Sequence, residues 1–334
     1  MTGKPALTFF CELEEPLLGE LLDRGEVIPA LQALPAAVSL GIIDLSEARA
    51  NAVRRLNQAG IPVTAWLLLP KQDGYWFNLE NIAAAERRWI DFSAWSDRHQ
   101  LKWAAVGLDI EPDLNTLRQF SSQPWRTAFS LVKRLLGRQT WQARRERYMR
   151  LAGQIRAAGW RLESYQFPVI LEERQGRSNL LLRLLGLVDL PVDNEVLMLY
   201  SSFFPKFGAA LLASYLPQAG AVGIGVTGGG IIVEGTVSDL PLTWEAFERD
   251  LRLTAAANRP AYIFSLEGCV WRGWLPRLLA FDWQQPAPPL PPGIRKINWA
   301  RRGAAAALFL LSRPLLILLG LAAAWLLVRS LKRN

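Results

Sequence analysis

The chain has 334 residues, 51% of them apolar, and 38 Lys and Arg against 30 Asp and Glu give it a net charge of +8. That length suits one large α/β barrel plus an appendage. A single histidine and two cysteines exclude a disulfide framework and a Cys/His zinc site. A Ser-His-Asp mechanism would have to use His99, in the polar stretch "SDRHQ", so catalysis must lean on carboxylates, Tyr or Lys.

In chain order, Met1 to Phe10 lacks the charged and apolar regions of a signal peptide, and a cytoplasmic N-terminal domain is expected. Short apolar, β-branched or aromatic runs then recur, each followed by a helical pattern. They predict strands at Leu7–Glu14, Val38–Ile43, Val63–Leu69, Ala104–Ile110, Arg161–Phe167, Val196–Tyr200, Val222–Thr227 and Tyr262–Glu267. Between them lie segments such as "SEARANAVRRLNQAG", opening on Ser46 as N-cap and closing on Gly60, and a second helical pattern from Asn78. Eight strands alternating with helices predict a (β/α)8 TIM barrel over residues 5–283. The connection Leu114–Gly159 is long and Arg-rich, and reads as an inserted helix followed by the fourth barrel helix.

After the barrel, "QQPAPPLPPG" opens a linker, Pro-rich then basic, over residues 284–302. From Gly303 to Val328 the only charge is Arg313, and Phe309–Val328 supplies the ~20 apolar residues a bilayer core needs. We therefore expect a transmembrane anchor at 303–329 and a short basic tail at 330–334. The protein would then be a single-pass membrane protein with its barrel in the cytoplasm. The basic stretches favour an anionic membrane surface as partner; with no zinc-finger spacing or RNP-type motif, no nucleic-acid partner is expected.

Barrel enzymes place working residues at the C-terminal ends of their strands. Carboxylates fall there at Glu12 and Glu14, Asp109 and Glu111, Glu163, and Glu267. Alternation puts Asp109 and Glu111 on one face with Ala105 and Gly107, while Val106, Leu108 and Ile110 face the helices. The same parity groups Phe10 with Glu12 and Glu14, Glu163 with Tyr165, and Ile263 with Ser265 and Glu267. Like charges converging in this way need a raised pKa or a cation partner, for which Arg161 and Lys71 are candidates. "DGYWFN" after strand three would bring Tyr75 and Trp76 to the mouth as flat surfaces for sugar rings.

The segment "VGLDIEPD" resembles the strand-four signature of family-18 chitinase-like glycoside hydrolases, D-x-x-D-x-D-x-E. Asp109 matches the last Asp and Glu111 the catalytic Glu, whereas Ala104 and Gly107 replace the first two Asp. "LMLYSS" is similar to the family's M-x-Y-D, with Met198 and Tyr200 matching and Ser201 in place of Asp. Trp271 and Trp274 are similar to the tryptophan flooring the family's sugar site, while "VTAWLLLP" lacks its S-x-G-G. Family-25 lysozymes also carry a short D-x-E on a barrel strand. The resemblance implies that Glu111 protonates a leaving oxygen and that Asp109 orients a substrate N-acetyl group.

These readings give a membrane-anchored, glycoside-hydrolase-like protein acting on a glycan or glycoconjugate. Glu111, Asp109 and Glu267 are its candidate catalytic residues. Glu12, Tyr75, Trp76, Glu163, Tyr165, Tyr200 and Trp271 are its candidate substrate contacts, and no cofactor is required. Two alternatives stay open. One is a sugar-phosphate isomerase or lyase, with Mg2+ or Mn2+ held by Glu12, Asp109, Glu111, Glu163 and Glu267, and with Gly228, Gly229 and Gly230 holding phosphate. The other is a non-catalytic carbohydrate-binding barrel.

Overall fold

The computed structural model describes residues 4–113, 134–135, 137–225, 228, 242–286, 288–313, 315, 325 and 329. Eight parallel strands close into a barrel in sequence order: β1 (Leu7–Cys11), β2 (Ala37–Ile42), β3 (Val63–Leu67), β4 (Ala105–Ile110), β5 (Leu162–Gln166), β6 (Asn194–Met198), β7 (Ala221–Gly225) and β8 (Ala261–Phe264). β1 pairs with β8, Leu7 opposite Ala261, so no sheet edge is left open. Each strand coincides with one of the eight apolar runs; strands covered on both faces read as continuous apolar segments.

Alternation sorts the strand residues into two apolar layers. Phe9, Val38, Leu40, Val106, Leu108, Leu162, Val222 and Ile263 belong to the outer layer under the helices. Phe10, Trp66, Leu68, Tyr75, Trp76, Tyr165, Val196, Ala221 and Tyr262 form a separate cluster inside the barrel. Barrel interiors are usually filled by branched aliphatics, but this one is filled by rings. Phe10 sits edge-on to Trp66 and Tyr165, at 5.1 and 4.8 Å between centroids. Rings of this size fit because their neighbours are small: Gly107 opposes Trp66 in the register, and Ala221 opposes Val196.

The expected helix ends are found at Glu47–Gln58, where the Ser46 side chain accepts from the Arg49 amide and Gly60 follows at φ +72°. The second helix is Ile82–Arg98, with Asn81 rather than Asn78 at its N-cap. In the long connection after β4, the helix Arg138–Ala157 is present; the rest of the expected insertion, 114–133, lies outside the described residues.

The C-terminal expectation is corrected. Among the described residues no helix is long and apolar enough to cross a membrane, so the transmembrane helix and the single-pass localisation are withdrawn. Residues 303–311 instead continue the basic helix Ile294–Leu311, which docks on the barrel's own helices Ile170–Gln175 and Gly208–Tyr215. Arg301 binds Glu172 Oε1 at 2.6 Å and the Ser214 carbonyl at 2.6 Å, and lies 3.6 Å above the Tyr215 ring. Ala305 and Leu308 are buried where Gly176 lets the two backbones close; a Cβ there would lie 2.8 Å from the Ala305 carbonyl oxygen. Arg313 donates towards the carbonyls of Gly176 and Arg177, at 3.4 Å each, as the helix ends. The sequence misled because one apolar run spans both the docked end of this helix and residues 316–324, which lie outside the described residues.

Candidate active site

The end of β4 is held by an added strand-like contact. Phe77 donates its amide to the Asp109 carbonyl at 2.8 Å, and Glu111 donates to the Phe77 carbonyl at 3.2 Å. The segment "DGYWFN" therefore fixes the backbone carrying both acids. Tyr75 and Trp76 are not open sugar platforms: they are 2% and 8% exposed and pack edge-on inside the barrel. Tyr75 adopts φ +64°, a conformation costing a side-chain-bearing residue about 1 kcal/mol or more. Its hydroxyl donates to Glu12 Oε1 at 2.6 Å. The Leu69 amide, which donates to its carbonyl at 2.8 Å, holds the backbone there.

Asp109 is buried. Its Oδ2 accepts from the indole Nε1 of Trp66 at 3.2 Å, while among the described residues no N–H or O–H donor meets Oδ1. A buried carboxylate with an unmet oxygen is costly; a protonated carboxyl resolves this by donating. Burial first, then the Glu111 and Glu12 charges and a hydrogen bond to Glu111, push Asp109 well above the usual carboxylate range. Burial pushes Glu111 up to about 7, and the hydrogen bond from Asp109 works against that rise by stabilising the ionised form. The two residues thus form one hydrogen-bonded acid pair whose protons are coupled, with burial raising both carboxyls.

Trp66 is a part of this site that the sequence reading missed. Its signal was parity: it stands opposite Gly107, and so shares the inward face with Asp109. Neither expected cation fills the mouth. Lys71 pairs with Glu14 at 3.4 Å on the surface, and Arg161 is exposed, its charge acting on Glu163 and Asp193.

The other carboxylates do not join the pair as one ligand set. Glu163 lies deeper, accepting from Tyr262 Oη at 2.9 Å, Asn194 Nδ2 at 3.2 Å and Tyr165 Oη at 3.4 Å; burial nevertheless raises its pKa. Glu267 is not on β8 as expected. The strand ends at Phe264, and Ser265 caps the helix Leu266–Trp271 that carries Glu267. On β8 itself Ile263 faces outward, so the expected parity there is reversed. Glu267 reaches back to accept from the Glu12 amide at 3.3 Å and, wholly buried, is pushed up to about 7. Its neighbour Cys11 is raised by burial and by Glu267, and both cysteines are buried and outside any disulfide. Among the described residues no three acidic, His or Cys side chains gather as a metal site.

Tyr200 lies just beyond β6, with its hydroxyl against Gly223: a Cβ there would lie 3.3 Å from it. Burial, then Asp109, Glu111 and Glu12, raise its pKa, so its phenol stands within reach of the acids' charge. Glu12, Ile43, Glu111, Met198, Tyr200 and Phe264 are half-buried where the deeper interior is closed; these residues line the mouth. Ser201, where the family-18 pattern has Asp, turns away and donates to Asp250 Oδ2 at 2.5 Å. Trp271 is exposed, while Trp274 is buried and stacked on Phe247. Gly228 accepts at its carbonyl from Ser265 Oγ at 2.6 Å; Gly229 and Gly230 lie outside the described residues.

No protein-family model and no curated protein matches the chain. Solved structures similar to it include the following two. A xylose isomerase-like TIM barrel protein from Mycobacterium smegmatis in complex with magnesium shares 14% identity, over 82% of this chain and 96% of that one, with a TM-score of 0.37. A dihydropteroate synthase from Xanthomonas albilineans, in complex with indole-2-carboxylic acid and 6-chloroguanine, shares 14% over 84% and 93%, with a TM-score of 0.32. The fold rests on the closed eight-stranded sheet itself.

Proposed function

We propose that the barrel is a glycoside-hydrolase-like enzyme in which Glu111 is the acid/base and the substrate is a glycan or glycoconjugate bearing a 2-acetamido sugar. The observation that carries this is the hydrogen-bonded Asp109–Glu111 pair at the end of β4. Two-carboxylate glycosidases hold their groups about 5–5.5 Å apart for retention, or 6.5–9.5 Å for inversion. Two carboxyls that hydrogen-bond to each other are closer than either and cannot flank a glycosidic bond. One must act as the acid and the other as its support, so the nucleophile comes from elsewhere. A neighbouring acetamido group on the sugar supplies one.

The steps follow from this arrangement. Protonated Glu111 gives its proton to the glycosidic oxygen, and the C1–O bond breaks with its electron pair going to that oxygen. The acetamido carbonyl oxygen closes on C1. The Asp109 hydroxyl stabilises the Glu111 carboxylate left behind, the same interaction that opposes its rise in pKa. Glu111 then takes a proton from the water that opens the ring. A general acid near neutrality is well matched to such work.

The test uses aryl β-glycosides of N-acetylglucosamine and of glucose with the full chain. Turnover of the first but not the second, with a fall of about a hundredfold or more in Glu111→Gln, supports the reading. Equal turnover in Glu111→Gln overturns it.

A further inference from the structure

The C-terminal helix Ile294–Leu311 has two faces. Asn298, Arg301, Ala305 and Leu308 recur at helical spacing along the side that docks on the barrel. Asn298 Oδ1 accepts from Ser214 Oγ at 2.5 Å, Arg301 holds Glu172, and Ala305 and Leu308 are buried. At about 100° per residue, Lys296, Trp299, Gly303, Ala306 and Leu310 fall on the opposite side. Each of them is exposed.

Cations occupy the first half of this outer side and apolar groups the second. Arg295, Lys296 and Arg302 are exposed and meet no carboxylate among the described residues. Trp299 stands between them, 73% exposed, and Phe309, Leu310 and Leu311 follow at 37%, 48% and 62%. No Asp or Glu occurs anywhere from Trp283 to Asn334. A second copy of this face would bring further cations against it, with no acid to answer them. An anionic phospholipid surface supplies what both halves lack. Its phosphates meet the cations, each worth about a fivefold gain in affinity, and its upper acyl region takes the apolar groups. Tryptophan suits the boundary between the two, and long Lys and Arg stems reach from one to the other.

We propose that the outer face of the helix Ile294–Leu311 binds an anionic phospholipid surface, lying in the headgroup plane with Trp299 and Leu310 inserted and Arg295, Lys296 and Arg302 on the phosphates. Among the described residues no helix can cross a bilayer, and a lying helix has no need to, since its other face stays on the barrel. The contact is independent of the chemistry at Glu111.

The probes are vesicles of phosphatidylcholine alone and of phosphatidylcholine mixed with phosphatidylglycerol, with flotation of the full chain as the readout. Expected is preferential binding to the mixed vesicles, weakening as salt is raised. Arg295→Gln/Lys296→Gln/Arg302→Gln should lower the affinity for mixed vesicles about a hundredfold, roughly fivefold for each cation. Trp299→Ser/Leu310→Ser should lower it at least about tenfold through lost apolar burial. These side chains are exposed, so neither variant disturbs the docked face. Equal binding to the two kinds of vesicle, or binding to neither, overturns the proposal. Undiminished binding of either variant also overturns it, and would place any lipid contact beyond residue 313. Sedimentation completes the test. A dimer that becomes monomeric in Trp299→Ser/Leu310→Ser, with vesicle binding unaltered, makes the face an interface between copies and likewise overturns the proposal.

Discussion

Tyr165 fills the space that any side chain at Gly107 would need: a Cβ there would lie 2.7 Å from the Tyr165 Cζ. The phenol crosses the barrel from β5 to β2, where its hydroxyl meets Ser39 Oγ at 2.7 Å. Gly107 stands where the family-18 signature carries its second Asp. Glycine at this position thus has a steric cause: the space is reserved for a ring that packs on Phe10 and Trp66 beneath the acid pair.

Gly107→Ala should therefore destabilise the fold by about 1–3 kcal/mol through overpacking. In a Tyr165→Leu background the same substitution should cost much less. Denaturant unfolding of the two single variants and the double variant measures the coupling; strict additivity would show that the ring yields freely.

Trp66→Phe removes the N–H that meets Asp109 Oδ2 while keeping an aromatic ring. That hydrogen bond restrains the rise in the Asp109 pKa, so its loss raises Asp109 further and loosens the carboxyl that supports Glu111. We predict a kcat on aryl N-acetylglucosaminides lowered about tenfold with KM little changed, and a stability loss of about 1–3 kcal/mol. An equal rise in KM with kcat intact would place Trp66 in substrate binding instead.

Glu267 links pH to stability. Its carboxyl is wholly buried, and burial pushes it up to about 7 from the ordinary glutamate value of 4.5. Between those values the folded chain binds more protons than the unfolded chain. This contribution is thus complete below about pH 4.5 and is lost as pH rises through 7. Over that window it is on the order of 3 kcal/mol. Unfolding curves at pH 4.5 and pH 8 should show Glu267→Gln gaining relative stability at the higher pH; parallel pH dependence in the two proteins would contradict the assignment.

Arg301 is the latch of the C-terminal helix. Its removal in Arg301→Met strands Glu172, which is 2% exposed and otherwise meets Tyr215 Oη at 2.8 Å. A loss of about 3–5 kcal/mol is expected for a broken buried pair, most of it recovered in Arg301→Met/Glu172→Gln. Faster limited proteolysis near residues 288–293 in the single variant would report undocking; unchanged cleavage and unfolding would show that the helix is held elsewhere.

All eight strands and the inward parity of Phe10, Gly107, Asp109, Glu163 and Tyr165 were legible in the sequence. Period-two alternation and strand length are local properties, and a closed parallel barrel imposes both. Ile263 and Glu267 were misassigned because parity was carried past Phe264, where Ser265 begins a helix; the cap signal of a Ser followed by Gly268 is weak beside an apolar run. Tyr75 and Trp76 were placed in the open because composition does not reveal that residues 75–77 fold inward along β4. The docked helix was lost within a longer apolar run, since only the tertiary pairing of Arg301 with Glu172 distinguishes its first half. Trp66 was overlooked because its role depends on a neighbour in another strand.

The central claim is that burial raises Glu111 towards neutrality and that a hydrogen bond from Asp109 restrains that rise. Carboxyl carbon-13 titration of Glu-labelled protein, with the Glu111 signal assigned by its loss in Glu111→Gln, measures this without any substrate. A midpoint at about 7, moving higher in Asp109→Ala as the stabilising donor is lost, is the predicted result. A midpoint near 4.5 that is indifferent to Asp109 would contradict it.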